Sequence, residues 1–129
     1  MKNLLAFALL GATLLLGTIP TRAEWHRFRG PNGNGYIAGN TKLPTVLGQE
    51  TLAWKAPLPG RGLGSAIVVG EKVIVSAASG PHQDKLQILC FSNRDGSQLW
   101  RRSFWATGRT MCHKKTCVAA PTPTSDGKS

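Results

Sequence analysis

The chain has 129 residues, 16 Lys and Arg against 6 Asp and Glu, and a formal net charge of +10. That length excludes a multi-domain enzyme. A charged fraction of 17% beside 41% hydrophobic residues excludes wholesale disorder.

Residues 1–23 read as an export signal. Lys2 supplies a positive start, Leu4 to Leu16 forms an apolar run of signal length, and Pro20 breaks it. Thr21-Arg22-Ala23 then places small residues at the −3 and −1 positions of a cleavage site before Glu24. The run is short for a spanning helix of roughly 20 residues, so no transmembrane segment is expected after cleavage. The mature chain is expected to be periplasmic or secreted. It would keep 106 residues (129 less 23), too few for a barrel enzyme or a two-domain cofactor binder.

Loss of Lys2 and Arg22 leaves 14 basic against 6 acidic residues, a mature charge of +8. Such a surplus can address a polyanionic surface. The basic residues are scattered, however, with Arg101-Arg102 and Lys114-Lys115 as isolated pairs. No aromatic and basic alternation of single-strand binders appears, and export removes the chain from DNA. A solvated, solubilising charge is the preferred reading, and no nucleic acid partner is expected.

Residues 24–51 form a Gly- and Pro-rich lead segment, with Trp25, Phe28 and Tyr36 as its expected anchors. Leu52 to Lys55 is a short strand candidate, stopped by Pro57 and Pro59. Ser65 to Val69 and Lys72 to Ala77 are β-branched runs flanking Gly70-Glu71, the pattern of a two-residue type II′ hairpin. Leu86 to Phe91 is a third strand, apolar on both faces as in a sheet packed on two sides. Asn93 to Gly96 is a turn, and Ser97 to Ser103 a fourth strand containing Trp100. Four such strands make an antiparallel meander, and the expected class is all-β.

An internal echo extends this reading. Trp54-Lys55 and Trp100-Arg101 each end a strand, and each is followed by a loop containing Gly and Arg. Ala66 to Lys72 resembles Thr122 to Lys128. A period of about 40–50 residues with one meander per unit is the pattern of propeller blades.

Trp54 through Lys128 resembles the repeat of pyrroloquinoline-quinone-type β-propeller proteins. The matching residues are Ser65 to Val73, Leu89-Cys90-Phe91, Asp95-Gly96 and Leu99-Trp100. The opening Trp25 to Gly35, with Trp54 to Gly62, resembles secreted members of planctomycete type. One departure is that the repeat's usual Asp and Thr positions hold Ser92 and Asp95. The resemblance implies a full blade at about 65–103 and the start of another at 118–129, an N-terminal fragment of a propeller. Trp54, Gly70, Gly96 and Trp100 would be its structural anchors. In the family the quinone sits at the centre of a complete propeller with a calcium ion, held by many blades. With one blade and no adjacent cysteine pair, neither group is expected here.

The function expected is therefore that of a non-catalytic binding or scaffold module, its partner an unknown protein or a polyanionic surface. The alternative is the first piece of a quinone-dependent dehydrogenase. Open strand edges could also favour self-association.

Several motifs suggest chemistry without carrying it. Gly127-Lys128-Ser129 imitates the end of a phosphate-binding loop, but Thr122 stands where its first Gly belongs. Gly60-Arg61-Gly62-Leu63-Gly64 lacks the strand-to-helix context of a dinucleotide site. Cys112-His113 and Cys117 lack a second ligand pair for zinc, only His26 and His82 remaining. No nucleophile elbow accompanies His26, His82 or His113. In an oxidising compartment Cys112 and Cys117 are expected to pair, leaving Cys90 reduced and buried.

Overall fold

The computed structural model describes residues 24–37, 39 and 42–127. The expected export signal and the last two residues of the Gly127-Lys128-Ser129 motif lie outside them. Four strands, β1 (Ile67–Val69), β2 (Lys72–Ser79), β3 (Lys85–Ser92) and β4 (Gln98–Trp105), form one sheet in the order β1-β2-β3-β4. Every neighbouring pair is antiparallel. A three-residue 3-10 turn, Gln49–Thr51, is the only helical element among the described residues. The chain is all-β.

The turns follow their residues. Val69 pairs with Lys72, so Gly70-Glu71 is a two-residue loop, and Gly70 alone in it has a positive φ, +59°. This is the II′ arrangement, which only glycine adopts freely at the first position. Between β3 and β4, Cys90 faces Trp100 while Phe91 faces Gln98, so Leu99 is one residue in excess, a bulge.

Beyond the bulge, the Ser97 backbone N–H (3.0 Å) and hydroxyl (2.7 Å) both donate to Asp95 Oδ1. The backbone N–H, then the Ser97 and Ser92 hydroxyls, hold the Asp95 carboxyl down to about 2 from its ordinary 3.8. A depressed carboxyl stabilises the fold fully above its unfolded value and loses that effect as pH falls through the folded one. The melting-temperature gap between the wild type and Asp95→Ala is therefore expected to be constant above pH 5 and to narrow from about pH 4 to pH 2. A gap that is the same at pH 2 and pH 7 would contradict the assignment.

Register divides the side chains between two faces, since successive residues of a strand point to opposite sides. Val73, Val75, Ala77, Leu89 and Phe91 share the first face, and Ile67, Ile74, Ala78, Leu86, Ile88 and Cys90 the second. Each face has its own core. On the first, buried Ala77, Leu89 and Phe91 are covered by Trp54 and Ala56. On the second, buried Ala78 packs with Cys117 and Ala119, flanked by Leu86 and Val118. The one buried polar side chain among the described residues, Gln87, donates from Nε2 to Ser79 Oγ at 2.8 Å, which meets part of its hydrogen-bonding need.

Four sequence expectations are corrected. Leu52 to Lys55 is not a strand, because no neighbouring strand among the described residues offers it a ladder. Its Trp54 instead lies against Phe91, ring centroids 6.5 Å apart, and donates from Nε1 to the Asn93 carbonyl at 3.0 Å. Val118 to Thr124 begins no further strand. That tail runs back across the second face, where Ala119 O accepts from Leu63 and Gly64, and Pro121 O from Ser76 Oγ. Trp100 is no interior anchor: it is 38% exposed, and every residue of β4 is exposed. Of the three lead-segment anchors only Trp25 holds, in a two-bond bridge with Val68, while Phe28 and Tyr36 are exposed.

Candidate functional site

An antiparallel meander sends its second loop and the chain leaving its fourth strand to the same end of the sheet. Here Ala106 N–H donates to Asp84 O at 2.8 Å, which fastens that end. The result is a hollow of about 370 Å³ bordered by His82, Gln83, Arg109, Thr110 and Cys112. His82 and Cys112 are thirty residues apart, so spacing along the sequence did not reveal their meeting. The predicted meander could have done so, by assigning both to one end. Gln83 has a positive φ of 55°, and its Oε1 accepts from the Val118 N–H, tying the loop to the tail.

The three histidines, none of them expected to be catalytic, occupy different settings. His26 Nε2 lies 2.7 Å from Glu24 Oε2, and its carbonyl accepts from the Ser125 N–H. Its buried Nδ1 has no hydrogen-bond partner. His113 Nδ1 accepts from Lys115 N–H within the tail, whereas His82 is exposed at the hollow. Among the described residues no group of three or more His, Cys, Asp or Glu is arranged to hold a metal ion.

Glycines in the Gly60 to Gly64 segment serve close packing. Arg61 and Ala78 exchange two backbone hydrogen bonds, so the segment runs along the edge of β2 beyond β1. A Cβ on Gly60 would stand 2.1 Å from Ala78 O, and one on Gly62 2.1 Å from Ser76 O. Both contacts are with backbone, which cannot swing aside. Gly96 has φ +72°, and a Cβ there would strike the Trp54 ring at 2.5 Å. Trp54 and Gly96 thus belong to one contact that closes the first face.

All three cysteines are free thiols, so the expected Cys112–Cys117 bridge is not formed here. Cys112 is half-buried at the hollow, with its Sγ 3.9 Å from Thr116 O. Cys117 is buried in the second core. Cys90 is fully buried, and this burial pushes its thiol up, opposed in part by the Lys72 charge. Because the thiolate is the reactive form, Cys112 is expected to be alkylated first in the native chain, and Cys90 only after unfolding. Mass mapping after brief alkylation at neutral pH checks the order, and early modification of Cys90 would contradict it.

The remaining candidate surface is β4 itself. Its inner edge pairs with β3, and no described strand pairs with its outer edge. Trp105 is 70% and Phe104 54% exposed, and Arg101 and Arg102 lie between them and Trp100. No described helix is long and apolar enough to cross a membrane. In comparisons with known proteins the chain matches no family model, and neither a curated protein nor a solved structure is significantly similar to it.

Proposed function

We propose that the chain is an exported, non-catalytic module of the pyrroloquinoline-quinone-type propeller-repeat class that works by binding or scaffolding. The observation that carries this reading is the two-sided apolar character of β3. Leu89 and Phe91 are buried on one face and Cys90 on the other, each face covered by non-strand segments. A sheet that must be covered on both faces is suited to stacking against neighbours, as repeat units do. Export is supported by the tripartite pattern of residues 1–23.

The test pairs a capture experiment with a titration. The mature chain, immobilised, is expected to retain a specific protein from periplasmic extract, and to show no quinone binding or redox activity with added pyrroloquinoline quinone and calcium. Quinone-dependent oxidation of an alcohol or sugar would replace this reading with that of a dehydrogenase piece.

A further inference from the structure

We propose that the outer edge of β4 is a docking strand for an extended acidic peptide segment, which adds to the sheet as a fifth strand. The inference rests on the binding-module reading and names the chemistry of its partner.

The first support is the backbone. Ala106 N–H is directed to Asp84 of the β3 side, and in an antiparallel pair alternate residues direct both their backbone groups the same way. Trp100, Arg102 and Phe104 therefore bond inward, whereas Arg101, Ser103 and Trp105 turn their N–H and C=O groups outward. Such a row is a template for strand addition. No proline interrupts it.

The second support is charge. No acidic residue stands between Asp95 and Asp126, while Arg101, Arg102, Arg109, Lys114 and Lys115 all do. The two strand arginines point to opposite faces, Arg101 beside Leu89 and Arg102 beside Ile88. Neither has an ion-pair partner at its register position on β3. Directly opposed side chains on neighbouring strands favour opposite charges and disfavour like ones. An added strand carrying two consecutive acidic residues meets both arginines at once. Aromatic or β-branched residues on either side of that pair would rest against Trp100, Phe104 and Trp105.

The same arginines discriminate against a second copy. Two β4 strands related by a two-fold axis near the strand centre would oppose arginine to arginine. Edge charges commonly serve only to block such pairing. Here, however, they lie among three exposed aromatic rings, a combination that repels copies of the chain and leaves apolar area for an acidic strand. This edge is thus a docking strand for another segment and not for a second copy.

The experiment uses the mature chain and three probes. They are an eight-residue peptide of alternating Val and Thr with a central Asp-Glu pair, the same peptide with a central Lys-Lys pair, and a sulfated polysaccharide. The acidic peptide is expected to quench tryptophan fluorescence and to protect the amides of Arg101, Ser103 and Trp105 from hydrogen exchange. Ser103→Pro removes one outward N–H without touching the β3 ladder, and is expected to weaken binding about tenfold. The double variant Arg101→Glu, Arg102→Glu is expected to prefer the lysine peptide, a reversal that mere misfolding would not produce. Polysaccharide binding insensitive to Ser103→Pro, unaltered amide exchange with either peptide, or peptide-independent dimerisation would each overturn the proposal. If the capture experiment still retains a protein through the Ser103→Pro chain, only the β4 assignment fails and the binding-module reading stands.

Discussion

Leu89→Ala is expected to remove most of the chain's cooperative folding, whereas Leu99→Ala, ten residues on, is expected to be nearly silent. Both leucines occupy predicted strands, and composition does not separate them. The register does. Leu89 lies on the third of four strands, fully buried between Val75 and Arg101, and packs in the cluster of Ala77 and Phe91 beneath Trp54. Truncating such a side chain loses its transfer free energy and leaves a cavity, about 2–5 kcal/mol in well-packed cores. The whole stability of a small domain is about 5–15 kcal/mol, and one this open belongs near the lower end. Leu99 is the bulged residue and is 51% exposed, so its truncation belongs with surface changes of about 0.5 kcal/mol or less. Urea unfolding of the two variants beside the parent measures both. A Leu89→Ala midpoint within experimental error of the parent would show that the first face is not the core described here.

The meander was legible because each of its signals is local. Gly70-Glu71 between two β-branched runs specifies a turn, and the turn then specifies that Val69 faces Lys72. Asp95-Gly96 specifies the last turn in the same way. What lay hidden was long-range. Nothing near Trp100 in the sequence says that its strand would be exposed on both faces, because exposure depends on what stacks against the sheet. Similarly, Val118 and its neighbours have the β-branched and proline-flanked character of a strand start. Their place across Ala78 was set by the Gln83 and Ser76 side chains and by the backbone of Leu63 and Gly64. The hollow at His82 and Cys112 falls between these cases. It follows from the predicted topology, although not from any spacing motif.

The tail leads to the other large effect: deleting residues 112–129 is expected to abolish the thermal transition of a chain that already melts below about 60 °C. The low starting point follows from the sheet. β4 is exposed along its whole length, and the second face depends on a segment that contributes no strand. Ordering costs about 1.5 kcal/mol per residue, which burial of one half-covered sheet struggles to offset. Removing the tail uncovers Ala78, Leu86 and the groove along Ile88 and Phe104. It also leaves the Leu63, Gly64 and Ser125-linked His26 backbone groups without their partners, together with the Ser65 N–H that donates to Thr122 Oγ. On this face the tail's Cys117, Val118 and Ala119 pack against Ala78 and Leu86, so their loss removes that cluster. Circular dichroism of residues 24–129 and of residues 24–111, each heated at several concentrations, measures the difference. A chain of residues 24–129 that is monomeric and melts cooperatively above about 60 °C would refute the expected weakness and point to a self-sufficient small β domain. If the shortened chain also melts cooperatively, near the parent's temperature, the tail is an ornament of the sheet and its second face is stable without cover.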